Sequence, residues 1–219
     1  MREQAIDIAA LAEGLVNVDG LFDRRDGQLA LALYRLLAEG EPVSGERLAE
    51  RTGRPLSEVA DWLRGPRTVL DERGEVVAFQ GLSLRSREHV LELDGRTLYA
   101  WCAADTLLIT DLLDGPVRVR STDPITGKNL SLSVEDGRVR AVEPSTAVLS
   151  MVRPADGIVG EDVVPVGCGP INFFGSEESG RAFTERAEGT FLLTIEDGLE
   201  LGRLINRELF GAALEERGG

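Results

Sequence analysis

The chain has 219 residues, 42% of them hydrophobic, enough to fill one large domain or two modest ones. A net charge of −14 makes most of the surface repel nucleic acid, and aromatic residues at 5% leave few platforms for stacking bases. The single histidine, His89, excludes most zinc sites, which draw on several histidines or cysteines, and leaves one candidate base for any histidine-dependent triad.

Near the start, Glu3 and Asp7 stand where a signal peptide would carry basic residues, and no apolar run reaches the roughly 20 residues that cross a bilayer. The expectation is a cytoplasmic protein without a membrane partner. In a reducing compartment its two cysteines, Cys102 and Cys168, are expected as thiols, ligands or catalysts and not as a structural disulfide.

Residues 28–39 place Leu29, Leu33, Leu36 and Leu37 at helical spacing, and Gly40 closes the run. Ser44 can cap a short helix to Arg51 with Leu48 and Ala49 inward. After a turn at Gly53, Ser57 can cap residues 58–63, where Val59, Trp62 and Leu63 are apolar. Residues 68–70 and 76–79 then flank the turn Asp71-Glu-Arg-Gly74 as a hairpin-like wing. Together they predict a winged-helix-like unit over residues 1–80. Over residues 44–79 its Glu46, Glu50, Glu58, Asp61, Asp71, Glu72 and Glu75 outnumber six arginines, a poor surface for neutralising phosphates.

From Gly81 the pattern changes to alternation. Residues 89–93 alternate before the Asp94-Gly95 turn, Val117 and Val119 alternate with arginines, and Leu130, Leu132 and Val134 with serines. Val139 and Ala141 follow the turn ending at Gly137. A strand over 148–152, a helix over 176–186, a strand over 191–195 and a helix over 199–209 complete the chain. The class is α+β, with the N-terminal unit packed on a mainly antiparallel sheet and flanking helices over residues 81–219.

Residues 101–113 read as a helix, with Leu98, Trp101, Leu108 and Leu112 as its apolar side and Cys102 in its first turn. Amide groups and the helix dipole there favour a thiolate, so Cys102 is expected to alkylate faster than Cys168. Asp105, three residues on, shares its face. A buried cysteine and a dipole-complementing aspartate explain the same residues equally simply. Cys168 sits among Pro165, Gly167, Gly169 and Pro170, which predict a loop anchored by Phe173 and Phe174. A turn that merely contains a cysteine is the competing reading.

At these residues the chain resembles the bacterial organomercurial lyase (alkylmercury lyase) family. The Leu-Tyr-Ala-Trp-Cys-x-x-Asp-Thr-Leu pattern is matched from Leu98 to Leu107, and a later pattern by Cys168, Phe173, Phe174 and Ser176. Pro42-Val-Ser44, Thr126-Gly127, Leu130-Ser-Leu-Ser-Val134, Ala141-Val-Glu-Pro144, Leu201-Gly202 and Asn206 follow the same order, so the resemblance spans about residues 29–209. Gly169, Pro170 and Asn172 depart from it where members often carry a second cysteine and histidines. Asp123 replaces a common cysteine.

The resemblance implies a catalytic set of Cys102, Asp105 and Cys168 that breaks a carbon–mercury bond by protonolysis. The two thiols, with Asp105, would hold the mercury of substrate and product. The aspartate would relay the proton, and Trp101, Phe173 and Phe174 are expected as pocket walls. It implies no organic cofactor, excess thiol for release of Hg(II), and mercuric reductase as acceptor. Two alternatives are a mercury- or thiol-responsive winged-helix regulator and a non-catalytic mercury-binding relative. Retention of Asp105 argues against the latter, because sequestration has little use for a proton relay.

Overall fold

The computed structural model describes residues 6–153 and 168–215. The N-terminal helices begin where short polar side chains satisfy the free amides of a first turn. Asp7 accepts from Ala9 and Ala10 at the start of α1 (Ile8–Val16), a helix not expected from the sequence. Asp26 caps α2 (Gly27–Leu37) through Gln28 and Leu29, and Ser44 caps α3 (Gly45–Thr52) through Arg47. The fourth helix, α4 (Leu56–Leu63), starts ahead of the expected Ser57 cap. Pro55, at φ −58°, directs its carbonyl to Val59 N–H at 3.1 Å and opens the helix without a side-chain cap.

The wing strands β1 (Thr68–Leu70) and β2 (Val76–Phe79) do not stand apart. They continue through β3 (Leu82–Ser83) into β4 (His89–Leu93), β5 (Arg96–Ala100), β6 (Val117–Thr122), β7 (Asn129–Glu135) and β8 (Arg138–Glu143). All pair antiparallel, in the order β1-β2-β3-β5-β4-β6-β7-β8. Alternation explains which face is covered: Val117 and Val119 of β6 and Leu130, Leu132 and Val134 of β7 turn inward, while Arg118 and Arg120 stay exposed.

Residues 98–100 belong to strand β5, not to the apolar side of the following helix. The Asp94-Gly95 turn pairs Leu98 with Leu91 and Ala100 with His89, which buries Leu98 and Ala100 on the sheet's inner face. The helix itself, α5 (Ala103–Leu112), begins two residues later than expected.

A second sheet orders β10 (Phe173–Phe174), β9 (Val148–Val152) and β11 (Thr190–Thr194), with α6 (Glu177–Thr184) beside it. The closing helix, α7 (Ile195–Glu215), is longer than the expected 199–209. Thr194 Oγ1 accepts Asp197 N–H at 3.0 Å near its start, and Asn206 donates to Leu108 O at 2.9 Å, fastening α7 to α5. Tyr34 of α2 meets the rings of Phe79 in β2 and Phe210 in α7 edge-on, so one core runs through both sequence regions. No helix among the described residues is long and apolar enough to cross a membrane.

Candidate active site

Strand β5 ends where Trp101 N–H donates to Gly81 O at 2.8 Å, which turns the chain toward α5. Cys102 is therefore the N-cap, in extended conformation, and not a residue of the first turn. Its amide donates to Asp105 Oδ2 at 3.1 Å, so the carboxylate three residues on bends back over the helix start.

Cys168 arrives from far along the chain, and a single buried serine does much of the docking. Ser150 in β9 donates from Oγ to Pro170 O at 2.7 Å and accepts Asn172 N–H at 2.9 Å. Ile171 N–H closes a turn on Cys168 O at 3.0 Å, and Ala103 N–H reaches Ile171 O at 3.2 Å. The start of α5 and the cysteine loop are thereby joined. Pro165 and Gly167, expected to shape this loop, lie outside the described residues.

The outcome is that Cys102 Sγ, Cys168 Sγ and a carboxylate oxygen of Asp105 lie within 4.8 Å of one another. Two soft sulfur donors and one oxygen suit a soft, thiophilic metal better than magnesium or calcium. A cavity of about 70 Å³ reaches all three, walled chiefly by Leu15, Phe22, Leu108, Met151, Ile171 and Leu201. The N-terminal region thus supplies part of the wall.

Trp101, Phe173 and Phe174 do not line this cavity, contrary to expectation. Both phenylalanines are fully buried in β10, where Phe173 meets His89 edge-on and Phe174 packs on Phe183. Their rings are consumed by the core that anchors the loop, so the pocket's walls come from α1, α5, β9 and α7 instead.

Charge balance at the trio differs from the helix-dipole expectation. A hydrogen bond with Cys168, then burial, then the Asp105 charge push the Cys102 thiol well above its ordinary range. At 2% exposure, Cys102 is a neutral, shielded thiol in the resting protein. Burial raises the Asp105 carboxyl to about 6, against the pull of hydrogen bonds from Cys102 and of the Arg67 charge. Part of the Asp105 residue faces the cavity, yet its carboxyl is desolvated by the packing around it.

Sequence reasoning missed Ser150 and Arg67. Arg67 is 6% exposed, donates to Gly20 O, and leaves Nε without a partner among the described residues. Burial lowers its pKa against the opposing pull of the nearby Cys168, Asp105 and Asp23. The signal for Ser150 was a lone hydroxyl in the apolar run Val148-Leu-Ser-Met-Val152; nothing local marked Arg67. His89 stays outside the trio: its Nδ1 meets Ser121 Oγ at 2.8 Å, and burial lowers its pKa to about 4, which keeps it neutral.

Asp123 has a structural task. It accepts from Ile125 and Thr126 amides in its own turn and from Gly175 N–H and Ser179 Oγ across the fold. Burial alone would raise its pKa, but these donors, led by Gly175, outweigh it and hold the carboxylate charged. It pins the far end of the segment that carries Cys168.

The alkylmercury lyase profile matches residues 82–206, and the profile for the helix-turn-helix domain of alkylmercury lyase matches residues 10–80. The chain belongs to the alkylmercury lyase family. Relatives of this alkylmercury lyase family member include the alkylmercury lyase of Staphylococcus epidermidis, 41% identical over 85% of this chain and 82% of that one. That of Streptomyces lividans is 35% identical over 81% of each. The crystal structure described as the mercury-bound form of MerB2 shares the family fold at a TM-score of 0.71 and 23% identity, covering 92% of this chain and 98% of that one.

Proposed function

We propose that this protein cleaves the carbon–mercury bond of organomercurials by protonolysis, releasing a hydrocarbon and Hg(II). The observation that carries the reading is the convergence of two thiols and a carboxyl within 4.8 Å at an apolar cavity. Family membership and the name shared by the curated relatives support the substrate class.

The steps follow from the chemistry of the three groups. A thiol-bound organomercurial exchanges its carrier for one cysteine sulfur, and the displaced carrier leaves with that cysteine's proton. As the second sulfur bonds to mercury, its proton passes to the Asp105 carboxylate. Two thiolates now put electron density on mercury and weaken its bond to carbon. The neutral Asp105 carboxyl gives its proton to that carbon, the carbon–mercury electron pair forms the new C–H bond, and the hydrocarbon departs. Hg(II) stays on Cys102 and Cys168 while Asp105 returns to carboxylate. Excess thiol, or mercuric reductase as a thiol-bearing acceptor, then removes the product, and no organic cofactor takes part.

A carboxyl whose pKa stands at about 6 can both accept and return a proton near neutral pH, which an ordinary aspartate at 3.8 does poorly. We further propose a cytoplasmic role in mercury detoxification without a nucleic-acid partner. The helix-turn-helix segment spends Leu15, Leu21 and Phe22 on the cavity wall, in keeping with that view. Purified protein with excess thiol and phenylmercury should release benzene, measured by gas chromatography. Stoichiometric retention of mercury with no benzene would mean a binding protein and sink the proposal.

A further inference from the structure

The turn Gln80-Gly81 has no role in the chemistry above, yet it is the surface against which Asp105 rests. Gly81 has φ +97°, and a Cβ built on it would lie 2.7 Å from both Cγ and Oδ1 of Asp105 and 3.1 Å from its Cβ. Real side-chain contacts are not that short, so the Asp105 side chain packs directly on the bare Cα of Gly81.

The turn cannot readily retreat. Gln80 O accepts the buried Tyr34 hydroxyl at 2.6 Å, Gln80 N–H donates to Arg67 O at 3.0 Å, and Gly81 O holds Trp101 N–H at 2.8 Å. These bonds fix both sides of the peptide, and the last one fixes it relative to the residue before Cys102. Asp105 has little freedom of its own, because its Oδ2 already accepts the Cys102 amide. Gly81 also occupies the position between the two profile matches, 10–80 and 82–206.

We propose that Gly81 is a positioning residue for the proton relay: its missing side chain is the seat that holds the Asp105 carboxyl over the Cys102 amide and beside both sulfurs. The proposal rests on the lyase reading for its consequence in turnover, but the placement itself is independent of that reading. In this view a methyl group at position 81 tilts the carboxyl off Cys102 while leaving both thiols in place. Mercury is then bound but the carbon waits for its proton.

The test is Gly81→Ala, with Gly115→Ala as a control for backbone strain. Gly115 also has φ +97°, but a Cβ there would meet nothing closer than Leu93 at 3.7 Å. Both variants should lose thermal stability from the strained alanine, and Gly81→Ala should lose more because its methyl group also meets the Asp105 carboxyl. Only Gly81→Ala should lose amide-exchange protection at Cys102, read by NMR, and release hydrocarbon about 100-fold more slowly while still retaining Hg(II), the scale expected for a displacement near 1 Å. Cys102 protection unchanged in Gly81→Ala, or lost equally in Gly115→Ala, would overturn the proposal.

Failure of the unmodified protein to release hydrocarbon would reject the lyase reading, while the Cys102 amide would still decide the role of Gly81. Where Gly81→Ala folds poorly, the double variant with Asp105→Ala supplies the answer. Removing the carboxyl should restore its melting temperature to near that of Asp105→Ala combined with Gly115→Ala. Additive losses would count against a seat at Gly81.

Discussion

The two cysteines reach the same few ångströms by different means. Cys102 is placed locally, between the end of β5 and the start of α5, with Asp105 folded back onto its amide. Cys168 is placed remotely, by a loop hung from Ser150 and followed by two phenylalanines locked in the core. The local half brings a carboxyl and a thiol together through their spacing, with Gly81 lying under the carboxyl. The remote half turns that pair into a two-sulfur site, so most of the long-range folding that the proposed activity needs goes into holding Cys168.

The sharpest challenge to this comparison removes one sulfur at a time. Cys102→Ser and Cys168→Ser are each expected to abolish hydrocarbon release from phenylmercury or methylmercury, because one thiolate cannot load mercury with enough electron density. Full turnover by either variant would show that the two halves need not meet. Next in size is Asp105→Ala, expected to retain Hg(II) in equilibrium dialysis and to lose turnover by about 100- to 10,000-fold, the range of a lost general acid.

Asp105 also ties stability to pH. Its folded pKa of about 6 lies above the ordinary 3.8, so the folded state holds the proton more tightly between those values. Its favourable contribution is complete below about pH 4 and is lost as pH rises through 6, an effect of up to about 3 kcal/mol at 1.36 kcal/mol per unit. Asp105→Asn should remove this slope in urea melts at pH 4, 5, 6 and 7; an unchanged slope would mean the carboxyl is better solvated than its packing indicates.

Weakening the remote half alone should produce a smaller effect. Ser150→Ala leaves Pro170 O and Asn172 N–H without their partner, which costs roughly 1–3 kcal/mol. We expect about a tenfold loss of turnover from the looser loop, with Hg(II) binding weakened as well, in contrast to Asp105→Ala. The smallest effect concerns access. Iodoacetamide should modify the partly exposed Cys168 before the shielded, protonated Cys102, by several-fold in a mass-spectrometric time course. The reverse order would restore the helix-dipole argument.

Much of the frame was legible because its causes are short-range. Strict alternation in Val117-Arg-Val-Arg120 and Leu130-Ser-Leu-Ser-Val134 identifies half-buried strands, and Asp94-Gly95 identifies the turn between β4 and β5. Leu98 and Trp101 fit the spacing of a helix over 101–113, but Leu98 lies in β5 and the helix starts only at Ala103. Pairing with β4 decided in favour of the strand. α1 was missed because its Ile8-Ala-Ala-Leu-Ala-Glu stretch is short and becomes a helix against α7.

By itself, the sequence determined which chemistry is available: two thiols, an aspartate three residues after the first, and a histidine count too low for a multi-histidine metal site. It also determined that Cys102 and Asp105 lie close, since helical geometry couples positions three apart. Only the tertiary structure decided that Cys168 joins them, that Phe173 and Phe174 anchor instead of lining the pocket, and that Gly81 lies under the carboxyl. It also reversed the expected charge state of Cys102. Helix-end dipoles can be read along the chain, but burial and contact with a distant thiol depend on packing, and here they are the larger effects.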